Sequence, residues 1–212
     1  VGSEMCIRDS CYIVSYESLI QEVMKQYDAI IIGFGKAGKT LAAELSNRGW
    51  QVAVVEQSDE MYGGACPNVA CIPTKTLIHE SEISTLLYHN DFDKQSNMYR
   101  QAIARKNKLT SFLRENNYEK LSKRPNVTIY TGKGSLVSAN TVKVALPEEE
   151  IELQGKEIFI NTGSTPIIPS IEGIQQSRNV YTSTTLLELD ILPKHLIIVC
   201  LLYTSPSPRD CS

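Results

Sequence analysis

Short apolar runs and helix-spaced apolar positions alternate along residues 27–56. The runs Tyr27–Ile32 and Gln51–Glu56 are rich in β-branched residues, which predicts two strands buried on both faces. Between them, apolar positions recur at helical spacing and predict a helix over Lys39–Arg48, with Gly49 placed to end it. A strand, a helix and a second strand within about thirty residues make one βαβ unit, which predicts a parallel sheet.

The central part of the chain changes from helical to alternating periodicity. Met61–Lys75 is rich in Gly, Cys and Pro and predicts a loop that runs into a helix ending near Tyr88. Gln95–Lys120 is polar with apolar residues at helical spacing, which predicts a long, half-exposed helix. Beyond it, the alternation of apolar and polar residues predicts an antiparallel meander of four short strands: Val127–Tyr130, Leu136–Val137, Thr141–Leu146 and Ile151–Leu153.

Three further elements are predicted in the last part of the chain. Glu157–Asn161 has the apolar character of a buried strand. A short helix is predicted near Thr184–Leu189, and His195–Val199 has the pattern that begins another parallel strand. Strands and helices that alternate in this way place the chain in the α/β class.

The composition is that of an ordinary globular protein. The 212 residues include 21 Lys and Arg against 24 Asp and Glu, and 42% of the residues are hydrophobic. This apolar content excludes a disordered chain, and the near-neutral charge gives no reason to expect nucleic acid or an anionic membrane as a partner. The longest apolar runs, around Ala29–Ile32 and Leu196–Leu202, are too short to cross a bilayer.

The two ends of the chain are related through their codons rather than through protein structure. Val1–Ser10 back-translates as GTG GGC TCG GAG ATG TGT ATA AGA GAC AG, and the reverse complement of that string encodes Cys200–Pro208. Arg209 and Asp210 continue the same string. This is the pattern of a sequencing-library adapter translated in opposite orientations, so we expect residues 1–10 and 200–212 to be foreign to the natural protein.

The natural sequence is then expected to begin after residue 10 and to be a piece of a longer chain. Met24 fits a start because the first strand pattern follows it, which makes 11–23 either translated upstream sequence or a short native extension. Only Cys66 and Cys71 of the six cysteines lie securely within the protein. The other four fall in the outer segments: Cys6, Cys11, Cys200 and Cys211.

The turn between the first strand and the first helix has the sequence Gly33-Phe34-Gly35-Lys36-Ala37-Gly38, and Glu56 ends the next strand. In such a pattern Gly33 permits a tight turn, Gly35 lets a pyrophosphate approach the backbone, and Gly38 allows close packing of helix and strand. The N–H groups at the helix N-terminus attract the phosphates. Glu56 can accept hydrogen bonds from ribose hydroxyls. These residues predict a dinucleotide site without choosing between FAD and NAD.

Cys66 and Cys71 lie five residues apart at the predicted start of a helix. If the first helical turn is loosened, two cysteines at this spacing can form a disulfide. The helix N-terminus and any nearby cation would lower their pKa values and make the thiolates reactive. Two half-buried cysteines without a role are the alternative, and a zinc site would need two further ligands that no second Cys/His pair is spaced to supply. The spacing alone leaves a redox pair and a structural pair open.

The residues around the cysteines carry a family resemblance. Gly63-Gly64-Ala65-Cys66, four further residues and Cys71-Ile72-Pro73-Thr74-Lys75 resemble the Gly-Gly-Thr-Cys-(x)4-Cys-x-Pro-(Ser/Thr)-Lys segment of the class I flavoprotein disulfide reductases, or pyridine nucleotide-disulfide oxidoreductases. This family includes dihydrolipoamide dehydrogenase, glutathione reductase and mercuric reductase. The amino-acid sequences of residues 32–42 and 71–79 are most similar to one bacterial branch of this family. That branch is linked to reactive-chlorine resistance and to the reduction of hypothiocyanous acid. The pattern differs at Ala65, Pro67 and Ala70, whereas both cysteines and Lys75 match it.

The resemblance implies a role for each matching residue. FAD would be held by one set of residues: Gly33, Gly35, Gly38, Glu56, Gly64, Gly134, Thr162 and Gly163. Lys75 would lie near the flavin ring, where a cation stabilises the reduced, anionic flavin. Cys71 would lie against the flavin as the charge-transfer thiolate, and Cys66 would be the interchange thiol that attacks the substrate. No metal ligand is implied.

The resemblance also implies a fold, a reaction and partners. The expected α/β fold is a Rossmann-like FAD-binding βαβ sheet with an inserted antiparallel β-meander, truncated before the NAD(P)H-binding domain. Electrons would pass from NAD(P)H to FAD, to the Cys66–Cys71 disulfide, and through Cys66 to a small-molecule oxidant or disulfide substrate. The full-length parent would be a cytoplasmic, FAD-dependent homodimeric oxidoreductase.

In this interpretation residues 24–192 are the N-terminal part of the FAD-binding domain, and 193–199 begin the NAD(P)H-binding domain. We expect the chain by itself to be inactive and poorly stable, because its first sheet lacks strands and its apolar faces lack cover. A dihydrolipoamide-dehydrogenase or mercuric-reductase type of member is the alternative within the family. A nucleotide-binding module that senses oxidants or holds a soft metal through Cys66 and Cys71, without turnover, is the alternative from another class.

Overall fold

The computed structural model describes residues 25–199. Its strands are β1 Lys25–Ile32, β2 Val52–Glu56, β3 Val127–Thr131, β4 Lys133–Leu136, β5 Thr141–Ala145 and β6 Glu150–Ile160. Its helices are α1 Lys36–Asn47, α2 Ala65–Asn68, α3 Cys71–Leu87 and α4 Phe92–Ser122, with short 3₁₀ turns at Asp59–Met61, Ile174–Gln176 and Thr185–Glu188. The six strands form one sheet in the order β3-β2-β1-β6-β5-β4. The expectations for Met24, for 1–23 and for 200–212 lie outside the described residues.

Four adjacent strands, β3, β2, β1 and β6, form the parallel part of the sheet. β1 is at the centre of this parallel part, and its Ala29, Ile30 and Ile31 have no exposed surface. α1 leads from β1 to β2 and is followed by Gly49 at φ +84°, a left-handed conformation that favours glycine after a helix. The βαβ unit predicted from the sequence is therefore confirmed.

Both faces of the parallel strands are covered. On one face, residues of β1 and β2 pack against α1 and α4 in a core that includes Ala29, Ile31, Val52, Val54, Leu45 and Leu121. On the other face, they pack against β5 and β6 in a core that includes Ile30, Ile32, Val55, Val142, Val144 and Leu153. The expectation that the apolar faces lack cover is wrong for these strands, because the meander folds back over the sheet.

The predicted meander differs from the observed one at both of its ends. β3 is not part of it, because β3 pairs in parallel with β2 from Val127 opposite Val52 to Thr131 opposite Glu56. The long helix α4 carries the chain back to the opposite end of the sheet, so β3 runs in the same direction as β2. The alternation of apolar and polar residues does not indicate in which direction a strand runs. The two predicted strands 151–153 and 157–161 are one strand, β6, which pairs antiparallel with β5 in its first half and parallel with β1 in its second.

Three smaller differences concern helices and the last residues. The helix predicted to follow the Met61–Lys75 loop begins at Cys71 and is preceded by the one-turn helix α2. The short helix predicted near 184–189 is a 3₁₀ turn. His195–Val199 forms no strand, because within 25–199 no strand lies beside it to satisfy its backbone groups, and Ile197 is 89% exposed. No helix in this described range is long and apolar enough to cross a membrane.

A buried lysine attaches the last part of the described chain to α4. Lys106 is only 1% exposed, and its Nζ donates hydrogen bonds to the Leu187 carbonyl and to Glu188 Oε1, both at 2.8 Å. Tyr99 of the same helix donates its hydroxyl hydrogen bond to the Leu189 carbonyl at 2.9 Å. The 3₁₀ turn at 185–188 is therefore docked on α4 by polar contacts.

We expect Leu153→Ala to lower the free energy of unfolding by about 2–5 kcal/mol, because the Leu153 side chain is fully buried between the sheet and the meander. Urea denaturation followed by circular dichroism measures the loss. The matched control is Leu136→Ala on β4, where the side chain is 54% exposed and the change should stay within about 0.5 kcal/mol. Equal losses in the two variants would contradict the cover that the meander gives to this face.

Candidate functional site

The glycine loop, residues 33–38, lies at the carboxyl end of β1 and beside the carboxyl end of β6. A Cβ atom built at Gly33, Gly35 or Gly38 would lie 2.1, 2.9 or 2.6 Å from an atom of Asn161, the residue that follows β6. The N–H groups of Gly35 and Gly38 both point at one end of the Asn161 amide, at 3.3 and 3.0 Å, so we place the amide oxygen there as their acceptor. The glycines of this loop therefore make room for Asn161, Gly33 for its backbone carbonyl and Gly35 and Gly38 for its side-chain amide.

Glu56 ends β2 and is turned towards the same loop. The carboxylate is buried, and its Oε2 accepts a hydrogen bond from the Phe34 N–H at 2.8 Å. A carboxylate has about four acceptor sites, so Glu56 can also accept hydrogen bonds from ribose hydroxyls. In the first turn of α1, Lys36 and Ala37 are exposed, and their N–H groups have no acceptor within the helix. A carboxylate that can accept hydrogen bonds from ribose hydroxyls thus lies beside N–H groups that can donate hydrogen bonds to phosphates. This arrangement fits a dinucleotide.

The cysteine loop, residues 63–71, packs directly on the glycine loop. The Gly63 N–H donates to the Phe34 carbonyl at 3.2 Å, and the rings of Phe34 and Tyr62 lie 5.1 Å apart. A Cβ atom at Gly64 would lie 2.6 Å from the Gly35 Cα, and Gly64 has φ +78°, ψ −165°, a conformation that is almost confined to glycine. The sequence predicts that Gly64 contacts a cofactor, and the structure places it against the backbone of Gly35.

Asn68 anchors the turn between the two cysteines. Its side chain is buried, and its Nδ2 donates to the carbonyls of Tyr62 and Gly64 at 3.1 and 2.9 Å. Its Oδ1 accepts a hydrogen bond from Arg114 Nε of α4 at 3.1 Å, and Arg114 also forms an ion pair with Glu60. Sequence reasoning gave Asn68 no role, because an Asn between two cysteines carries no periodic signal.

The predicted approach of the two cysteines is observed. Cys66 lies in α2 and Cys71 is the first residue of α3, and both are exposed free thiols that lie close enough to affect each other's ionisation. Hydrogen bonding of the Cys66 thiol to Cys71, followed by a small loss of solvation, raises the pKa of Cys66 above its ordinary value, while Lys39 and Lys75 act in the opposite direction. The expected lowering of the pKa is therefore wrong for Cys66, because hydrogen bonding to Cys71 and the negative charge that the pair would accumulate both favour the protonated form of Cys66.

The other predicted residues occupy different surroundings. Lys75 lies one turn after Cys71 on α3 and is exposed. Thr162 and Gly163 follow β6 and are exposed, and Gly163 has φ +72° with no atom within 4 Å of a Cβ built on it. Gly134 of β4 is half-buried against side chains of β1 and β2, so its observed contacts are packing contacts. Within residues 25–199, no group of three or more His, Cys, Asp and Glu side chains could hold a metal ion.

We expect Gly64→Ala to destabilise the protein by about 3 kcal/mol or more, because the new methyl group would be strained at this φ and would overlap the Gly35 Cα. Gly49→Ala is the control, since Gly49 also has a positive φ and no atom lies within 4 Å of its Cβ position. It should cost about 1–2 kcal/mol from backbone strain alone. Thermal or urea unfolding that ranks Gly49→Ala as equally harmful would contradict the close contact of the two loops.

We expect Cys71→Ala to lower the pKa of Cys66, because it removes the hydrogen bond that favours the neutral thiol. The alkylation of Cys66 by iodoacetamide at pH 7 should then be about threefold to tenfold faster, since only the thiolate reacts. Peptide mass spectrometry resolves this site from the other cysteines. Cys71→Ser is the control, because its hydroxyl retains a hydrogen-bonding partner, and a larger acceleration in Cys71→Ser than in Cys71→Ala would contradict this cause.

The chain is similar in sequence to several oxidoreductases. It is 46% identical over 176 residues to the probable pyridine nucleotide-disulfide oxidoreductase RclA of Escherichia coli, an alignment that covers 83% of this chain and 37% of that protein. It is 34% identical to the mercuric reductase of Lysinibacillus sphaericus, covering 82% and 31%, and 33% identical to the dihydrolipoyl dehydrogenase of Acholeplasma laidlawii, covering 82% and 53%. The chain thus spans one third to one half of the length of these relatives.

The structure is also similar to solved structures. The Cu(II) complex of the HOCl-induced flavoprotein disulfide reductase RclA from Escherichia coli superposes with a TM-score of 0.71 at 45% sequence identity, over 80% of this chain and 36% of that one. A second structure of the HOCl-induced flavoprotein disulfide reductase RclA from Escherichia coli gives a TM-score of 0.68 at 44% identity, over 79% of this chain and 35% of that one. Residues 27–199 match the pyridine nucleotide-disulphide oxidoreductase family, and this chain belongs to that family.

Proposed function

We propose that the chain is the N-terminal part of an FAD-dependent reductase that transfers electrons from NAD(P)H to a small-molecule oxidant or disulfide through Cys66 and Cys71. The observation that carries this proposal is the contact between the two loops: Gly64, two residues before Cys66, lies against Gly35 of the dinucleotide-type glycine loop. Electron transfer between a bound dinucleotide and a dithiol requires such proximity. The alignment lengths support a longer protein, in which 24–192 belong to the FAD-binding domain and 193–199 begin the NAD(P)H-binding domain.

The residues at the edge of the sheet fit FAD. In this proposal Gly33, Gly35 and Gly38 form the turn for the pyrophosphate, and the buried carboxylate of Glu56 accepts the ribose hydroxyls. The remaining contacts would come from a second set: Gly64, Lys75, Gly134, Thr162 and Gly163. Bound FAD supplies the two-electron transfer that regenerates the two thiols from their disulfide at the expense of NAD(P)H.

The roles proposed for the two thiols are those that the family resemblance implies. The Cys66 thiolate attacks a sulfur of a disulfide substrate, forms a mixed disulfide and releases one substrate thiol after protonation. Cys71 then attacks the Cys66 sulfur, which forms the Cys66–Cys71 bond and releases the second substrate thiol. The pair loses two electrons and two protons, and the substrate gains them. With an oxidant such as hypothiocyanous acid, attack on its sulfur would release water and later thiocyanate.

We also propose a cellular location, an oligomeric state and a substrate class for the longer protein. A cytoplasmic location suits two free thiols, since that compartment keeps thiols reduced. A homodimer is expected for the longer protein from the family resemblance. The higher identity to RclA than to the mercuric reductase or the dihydrolipoyl dehydrogenase supports an oxidant or disulfide as substrate over mercuric ion or dihydrolipoamide.

The test is to express the complete reading frame and to measure NAD(P)H oxidation with hypothiocyanous acid, lipoamide and mercuric ion in parallel. We expect bound flavin and turnover with hypothiocyanous acid. Cys66→Ser should reduce that turnover on the order of 10³-fold or more, while NAD(P)H still bleaches the flavin absorbance. Ser138→Ala, at an exposed turn before β5, is the control and should retain activity. A colourless protein, or full turnover in Cys66→Ser, would overturn the proposal.

A further inference from the structure

A half-buried cation lies beneath the cysteine loop. Lys39 is on α1, and its Nζ donates a hydrogen bond to Asn117 Oδ1 of α4. The Asn117 amide in turn lies against the cysteine loop, because a Cβ atom at Gly63 would be 2.5 Å from Asn117 Nδ2, which also donates to the Leu113 carbonyl at 2.7 Å. Asn117 thus fixes the end of the Lys39 side chain next to the segment that carries Cys66.

The charge of Lys39 is not neutralised by a carboxylate. Among the ion pairs within residues 25–199, none involves Lys39. Its pKa lies below the ordinary lysine value, first because of burial and then because of repulsion from Lys36 and Lys120, whereas the attraction of Cys66 acts in the opposite direction. Lys39 is thus a half-buried cation that lacks an acidic partner and is held next to the cysteine loop by Asn117.

We propose that Lys39 is a positioning residue for Cys66, whose ammonium group, held by Asn117, stabilises the thiolate of the cysteine that attacks the substrate. This inference rests on the proposed function, because it concerns the thiol that this function assigns to substrate attack. The Cys66 thiolate is the nucleophile in thiol–disulfide exchange, so a charge that favours it raises the reactive fraction at neutral pH. Lys39 therefore counteracts the hydrogen bond of the Cys66 thiol to Cys71, which favours the neutral form of Cys66.

Three groups affect the pKa of Cys66, and they differ in the direction of their effect and in their exposure to solvent. Cys71 of α3 raises the pKa of Cys66 through the hydrogen bond, and Lys75 of α3 and Lys39 of α1 lower it. Lys75 is exposed, so water and salt screen its charge. Lys39 is half-buried and held in place by Asn117, so its charge is screened less. The role proposed for Lys39 is therefore separable from that of the exposed lysine.

The test measures the rate of iodoacetamide alkylation of Cys66 against pH in the reduced full-length protein, with the modified site identified by peptide mass spectrometry. Lys39→Met should raise the pKa of Cys66 and slow its alkylation at pH 7 by about threefold to tenfold, the effect of removing a nearby opposite charge. Lys39→Arg should restore most of the rate. Lys36→Met, three residues earlier on the same helix and exposed, is the matched control and should leave the pH profile unchanged.

Asn117→Asp provides a second, nearly isosteric variant in case Lys39→Met does not fold. Its carboxylate would pair with Lys39 and offset its charge, so the pH profile of Cys66 should again move upwards. Profiles of both variants that coincide with that of Lys36→Met would overturn the inference. Alkylation needs neither flavin nor turnover, so these shifts in a protein that binds no flavin would contradict the proposed function and leave the effect of Lys39 standing.

Discussion

The close contact between two backbone segments without side chains is the constraint on which this site depends. Gly35 belongs to the loop that is suited to a dinucleotide, and Gly64 belongs to the loop that carries the cysteines. A side chain at Gly64 would overlap the Gly35 Cα and force the two loops apart, and a side chain at Gly35 would collide with the Asn161 amide. The relation between a cofactor and a thiol pair is therefore set by the main chain of these loops and not by mobile side chains.

Asparagine amides hold these loops in place because an amide offers a donor and an acceptor on one rigid group. Asn161 connects the glycine loop to β6, Asn68 connects the cysteine loop to α4, and Asn117 connects α1 to α4. Every buried side-chain nitrogen or oxygen within residues 25–199 has a hydrogen-bond partner. These amides are buried or half-buried, and each has hydrogen-bond partners. The loops therefore resist rearrangement, since each broken contact would leave a polar group unpaired.

Local patterns were sufficient to predict part of this structure. The βαβ unit, the glycine loop and the approach of Cys66 and Cys71 follow from residues close together in the chain. The pairing of β3 with β2, the continuity of β6 and the contact of Lys39 with Asn117 depend on residues far apart, 78 positions in the last case. The direction of the pKa shift at Cys66 also escaped prediction, because it depends mainly on the interaction with the second cysteine of the pair. Position within the parallel sheet is the signal that could have identified Asn161, since the residue after β6 must lie beside the residue after β1.

The pairing of β1 with β6 has a consequence for biosynthesis. Asn161 completes the glycine loop from 128 positions downstream, so this loop stays unfinished during synthesis until that residue emerges. At roughly 5–20 residues per second, the wait is on the order of ten seconds. During this interval the backbone edge of β1 that will pair with β6 is available to other strands or to a chaperone. The glycine loop is thus completed long after it is translated, and interruptions of translation before Asn161 would release chains in which one edge of the central strand is unpaired.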